Sequence, residues 1–108
     1  MLIVSRFPHR PIPVNARNVA RLAPQFDLAV SRALGTRVRS SVATVAGRPA
    51  LVYPPAAVTG LPTRAFSRIV DVFVADDEYE LNCQYRPALA SSMTAACNEM
   101  LATLKVAR

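Results

Sequence analysis

The last third of the chain, residues 64–106, leaves little freedom of fold. Tyr79, Leu81, Cys83 and Tyr85 alternate with Glu80, Asn82, Gln84 and Arg86. At a period of two, that alternation gives one strand an apolar face and a polar face. The run before it, Phe66-Ser67-Arg68-Ile69-Val70-Asp71-Val72-Phe73-Val74, has the β-branched and aromatic content of a partner strand. Asp76-Asp77 is expected to make the hairpin turn, since aspartate tolerates turn geometry and bonds its own backbone. After Pro87 the spacing becomes helical. Leu89, Met93, Ala96, Cys97, Met100, Leu101 and Leu104 form one stripe, and Thr94, Ala95, Asn98, Ala102 and Lys105 the other. The unit is strand, strand, helix, with Cys83 on the second strand and Cys97 on the helix.

Upstream, Leu2 to Phe7 is a short apolar run ended by prolines and predicts a first strand. A proline-rich connector follows. Asn15 offers an N-cap and Gly35 a C-terminal stop. Between them Val19, Leu22, Ala23, Phe26, Val30, Ala33 and Leu34 share a helical face. Pro24 falls on the polar face, so a kink there keeps the stripe intact. The β-branched segment 36–45 predicts a strand with a bulge near Ser40-Ser41 to reconcile its imperfect alternation. Ala46-Gly47-Arg48 reads as a tight turn, 49–53 as a returning strand, and 54–62 as a proline-rich loop.

The order β-α-β-β-β-β-α, with tight turns between consecutive strands, predicts an α+β domain. An antiparallel sheet carries two amphipathic helices packed on it. At 108 residues a single domain spanning 1–108 is expected. The 52% apolar content excludes disorder, and no apolar run is long enough to span a bilayer. The N-terminus lacks the features of a signal peptide. As written the chain reads as cytoplasmic, and as a cell-envelope protein if a signal peptide lies upstream. The formal charge of +6 raises nucleic-acid binding. Twelve of the thirteen basic residues are arginine, however, and they are scattered rather than massed in one run. That pattern argues against a nucleic-acid arm.

Several stretches together resemble the PsbP-like superfamily, in particular its DcrB-type and actinobacterial LpqN-type members. They are Leu2-Ile3-Val4-Ser5-Arg6, the Val45-Ala46-Gly47-Arg48-Pro49-Ala50 hairpin, Val72-Phe73-Val74 with Asp76-Asp77, Tyr79-Glu80-Leu81-Asn82-Cys83, and the closing Met100 to Val106 segment. The resemblance covers nearly the whole chain and rests on pattern rather than on an invariant motif. It implies a binding or assembly factor with no catalytic residues. Family domains usually begin with a strand pair upstream of the first strand seen here, so the domain reads as short of that pair. Leu2 to Phe7 would then be an open sheet edge, able to dimerise or to pair with another chain.

Each chemical candidate has two readings. Cys83 and Cys97 fall on the inward faces of strand and helix and could face each other. In a cytoplasmic chain they read as buried reduced thiols acting as small apolar residues, and in an exported one as a disulfide. His9 and Cys97 formally supply a Cys-His pair for a small enzyme, but a lone histidine in a proline-rich connector reads as solvated. Asp76, Asp77, Glu78 and Glu80 lack the spacing of a calcium loop and read as a hairpin tip with a solvated strand face. No metal or cofactor is expected. Two surfaces remain for partners. One is the 54–62 loop through Ala56, Ala57, Val58 and Leu61. The other is an arginine face of Arg10, Arg17, Arg21 and Arg32 suited to an acidic partner. The expected function is a non-catalytic binding or adaptor domain working through protein contacts, with a lipid or small apolar ligand as a further option. The alternatives are an enzyme using Cys97 or His9, and a basic nucleic-acid-binding protein.

Overall fold

The computed structural model describes residues 2–8, 10–60 and 64–103, Leu101 through its backbone alone. His9, Leu61 and Leu104, singled out above, lie outside the described residues. In chain order the elements are β1 (Leu2–Phe7), α1 (Val19–Leu34), β2 (Ser41–Val45), β3 (Arg48–Val52), β4 (Ala56–Ala57), β5 (Phe66–Val74), β6 (Asp77–Tyr85), a 3₁₀ turn (Pro87–Leu89) and α2 (Ala90–Thr103). Among the described residues six strands form one antiparallel sheet of order β1-β6-β5-β3-β2, with the short β4 added against the start of β5. The fold is therefore α+β, as the order of elements predicts.

Local chemistry sets the limits of α1. The Asn15 Oδ1 accepts the backbone N–H groups of Arg17 (2.8 Å) and Asn18 (3.1 Å), forming the turn that leads into the helix. At the other end Gly35 takes φ 72° and its N–H donates to the Ser31 carbonyl at 2.9 Å, a left-handed cap for which glycine carries no Cβ penalty. Val19, Leu22, Ala23, Phe26, Val30 and Leu34 are buried. The stripe read from the sequence packs except for Ala33, which is exposed, and Pro24 lies inside the helix on the exposed side.

Segment 36–40 departs from expectation. It is a connector rather than a strand, and no bulge is present. The Val38 N–H donates to Ser31 Oγ (3.0 Å), and the Ser40 N–H to Asp27 Oδ1 (3.2 Å). Side chains of α1 thus take backbone groups that a ladder would otherwise use, and pairing begins at Ser41. The Ala46-Gly47 loop is as expected. Val45 pairs with Arg48, and φ is positive at Ala46 (53°) and Gly47 (72°), as a two-residue hairpin matched to strand twist requires. The second hairpin turns one residue earlier than Asp76-Asp77. Val74 pairs with Asp77, and Ala75-Asp76 are the loop residues, Ala75 at φ 55°.

The sheet has a core on each face. Under α1 lie Leu51, Tyr53, Ile69 and Phe73 with Val14, Val38 and the helix stripe, and the Phe26 and Phe73 rings meet edge-on at 5.0 Å. The opposite face carries Ala50, Val70, Val72, Val74 and Leu81, with Met100 of α2 against them. α2 covers this face thinly. Cys97 is buried and Met93, Thr94 and Met100 are half-buried, but Ala96 and Leu89 are exposed, Leu89 to 53%. The packed stripe is narrower than the sequence pattern suggested. No helix among the described residues is long and apolar enough to cross a membrane.

Candidate functional site

The hairpin acids do not form a solvated face. β6 residues alternate, and the even-numbered ones point under α1. Glu78 is 5% exposed and Glu80 half-buried. Opposite them is Asp71, in the middle of the β-branched run of β5 and 0% exposed. The register brings Asp71 directly across from Glu80. Carboxylate oxygens of Asp71, Glu78 and Glu80 lie within 4.8 Å of one another. They line a cavity of about 230 Å³ between α1 and the sheet, walled also by Phe7, Phe26 and Ile69.

Arg10 neutralises one of the three. Its Nη1 donates to Glu78 Oε1 at 2.6 Å, its guanidinium lies 4.5 Å from the Phe26 ring centroid, and its backbone N–H donates to the Asp76 carbonyl at 2.8 Å. The proline-rich connector is thereby docked across the hairpin end. Arg10 is committed inside the molecule instead of joining the arginine face of α1. Arg17, Arg21 and Arg32 of that face are exposed, as expected.

Among the described residues no group donates a hydrogen bond to either Asp71 oxygen. Burial above all, then the charges of Glu78 and Glu80 and a hydrogen bond from the protonated carboxyl to Glu78, push the Asp71 carboxyl up to about 8, while Arg10 acts against them. Burial also raises Glu78, against the pull of Arg10, and raises Glu80. The sequence reading missed Asp71 because it read the Phe66–Val74 run only as a strand. The signal was nevertheless available: a lone carboxylate inside a continuous apolar run is a buried carboxylate, since such runs are covered on both faces.

Cys83 and Cys97 are joined in a disulfide, with Cα atoms 6.4 Å apart. The reading of two reduced thiols is therefore corrected, and Cys97 offers no free nucleophile. The bond fastens α2 to β6, beside a hydrogen bond from Arg68 Nη1 to Asn98 Oδ1. The 54–62 segment is not loop throughout, since Ala56-Ala57 pair with Ser67 and Phe66 of β5 as β4. Ala56 and Val58 are partly buried against the α1-side core and Ala57 is exposed. Thr59 closes the loop onto α1, its N–H donating to the Leu34 carbonyl at 3.1 Å. Two of the loop's apolar residues are thus already engaged by the domain.

The β1 edge differs in character. β1 pairs with β6 on one side, and among the described residues no strand lies on the other. Leu2, Ile3, Val4 and Phe7 are exposed to 45%, 38%, 58% and 45%. By register Leu2 and Val4 lie on the α2 side, with Cys83 and Leu81, while Ile3 and Phe7 lie on the α1 side. The far edge, β2, is Ser41-Val42-Ala43-Thr44-Val45 and presents one large exposed apolar residue, Val42. Comparison with protein-family models, with curated proteins and with solved structures gives no match.

Proposed function

We propose that this domain is a non-catalytic binding module that takes an extended segment of a protein partner as an added strand along β1. The observation that carries this reading is the open edge with four exposed apolar side chains distributed over both faces. Sheet edges exposed to water are ordinarily blunted by charge, proline, a bulge or a cover. Among the described residues Leu2-Ile3-Val4 has none of these, and Arg6 is drawn back onto Asp77 at 2.8 Å. An incoming strand would gain main-chain hydrogen bonds from the edge and specificity from alternate side chains meeting Ile3 and Phe7 on one face, Leu2 and Val4 on the other. The resemblance to PsbP-like domains, which mostly act as binding or assembly factors, supports the same reading. The Cys83–Cys97 disulfide supports a setting in an oxidising compartment such as the cell envelope.

The test is site-specific photocrosslinking in the producing cells from a photoreactive residue at position 4, with position 48 as control. A discrete adduct from position 4, absent from position 48, is expected. The purified adduct partner should bind the wild-type domain and bind an Ile3→Lys variant at least tenfold more weakly, with unchanged circular dichroism. An adduct of twice the domain's mass identifies a second copy of this chain as the partner. Equal labelling from both positions, or full affinity in Ile3→Lys, overturns the reading.

A further inference from the structure

The cavity between α1 and the sheet gathers three carboxyl groups around one internal cation, Arg10. Arg10 answers Glu78. Asp71 is wholly buried and lines the same cavity as Glu80; among the described residues no group donates to it, and its only hydrogen bond, in the protonated form, is to another acid, Glu78. Burying a polar group that accepts no hydrogen bond is costly, and a ligand that supplies donors would recover that cost. The missing partner is therefore a donor, and a cationic one suits the three carboxyls.

The walls decide which cation. A divalent metal ion calls for about six oxygen ligands, several of them water. Here Phe7, Phe26, Ala29, Val30, Ala33 and Ile69 present hydrocarbon, and the Arg10 guanidinium stands beside the carboxyls. A primary ammonium asks for three acceptors, and its hydrocarbon stem would take the apolar wall. Arg10 already shows this chemistry in the same cavity, with its charge on Glu78 and its planar head on Phe26. At about 230 Å³ the space equals roughly eight water volumes, enough for a short alkyl chain.

We propose that this cavity binds a small primary ammonium ion, its nitrogen donating to Asp71 and Glu80 and its stem packed on Ile69, Ala29 and Ala33. Binding draws on the ionised form of Asp71. The charged and titratable groups facing Asp71 are Glu78 and Glu80 of β6, Arg10 of the connector, and Tyr53 after β3. The part of α1 that lines the cavity contributes Gln25 and apolar residues. With the carboxyl near 8, affinity rises about tenfold from pH 7 to pH 9, while the amine stays protonated.

The test is a titration of the folded domain with n-butylammonium chloride at constant ionic strength, followed by methyl NMR. Saturating shifts at Ile69, Ala29 and Ala33 are expected, tighter at pH 9 than at pH 7 by about tenfold. Asp71→Asn is expected to weaken binding at least tenfold, and Glu80→Gln serves as a second variant that leaves the buried position untouched. Linear shifts, or saturation unchanged in both variants, overturn the proposal. So does equal binding of n-pentanol, which would make the cavity merely apolar, or saturation by calcium chloride without n-butylammonium, which would make it a metal site.

Discussion

Asp71 and Glu80 are Cα partners across the β5–β6 ladder, on the sheet face that α1 covers. Like charges directly opposite each other destabilise a sheet, and burial adds to the penalty. The domain meets this by keeping Asp71 protonated: its carboxyl rises from 3.8 to about 8 on folding. The folded state then holds a proton that the unfolded chain has released. Stability from this group is complete below pH 4, falls as pH rises toward 8, and is flat above. Glu78 and Glu80, also raised, act in the same direction. Urea denaturation of the wild type should show stability decreasing from pH 5 to pH 8. Asp71→Asn should flatten much of that slope and be more stable than wild type at pH 8, by on the order of 2–4 kcal/mol.

Removing Arg10 should have the opposite pH signature. Glu78 is 7% exposed in its side chain and Arg10 32%, so the pair is buried on one side and wetted on the other. Breaking a buried pair leaves a charge uncompensated. Arg10→Met keeps the stem over Phe26 and deletes the charge. It should cost about 2 kcal/mol at pH 8 and progressively less as the pH falls, because burial already favours the protonated form of Glu78 and the unpaired acid then loses its charge. A loss independent of pH would mean that Arg10 contributes packing alone.

The sequence carried the periodic parts of this domain and lost the parts that depend on third-dimension neighbours. The α1 stripe from Val19 to Leu34 and the β6 alternation from Tyr79 to Tyr85 were legible because one face of each element is buried. Segment 36–40 was not, because Ser31 and Asp27 of α1 claim its backbone, and propensity yields to such contacts. The polar residues of β6 looked solvent-facing because alternation tells only that two faces differ. It does not tell that both are covered, and α1 lies over the acidic one. Arg10 was legible as a cation, but its partner 68 positions away was not.

The disulfide bears most on α2. Among its described side chains the helix buries Cys97 and half-buries four others, two of them the small Ala90 and Thr94, so little apolar area holds it to the sheet. Closing a loop of roughly fifteen residues stabilises by about 3 kcal/mol in the chain-entropy account. A Cys83→Ala/Cys97→Ala variant should lose about 2–3 kcal/mol of global stability. Its α2 amides should exchange much faster while β5 and β6 amides stay protected. Hydrogen exchange read by mass spectrometry separates the two regions. Unchanged α2 protection in the variant would show that packing, and not the bond, holds the helix.

Gly35 joins two requirements at one position. Its φ of 72° disfavours any side chain, and a Cβ there would fall 1.9 Å from Thr59 Oγ1 and 3.2 Å from Thr59 Cβ. Thr59 is held in place because its N–H and its hydroxyl both donate to the Leu34 carbonyl, at 3.1 and 3.3 Å. The end of α1 and the end of the 54–60 segment therefore pack through the missing side chain. Gly35→Ala should cost about 1 kcal/mol for the backbone conformation and a further ~1 kcal/mol for displacing Thr59 from its hydrogen bonds. Thr59→Ala removes the nearer clashing atom. The double variant should thus lose less than the sum of the two single losses, by roughly 0.5–1 kcal/mol. Thermal unfolding of the four proteins measures that coupling, and strict additivity would show that Thr59 rotates away without cost, leaving the left-handed conformation as the whole reason for glycine at this position.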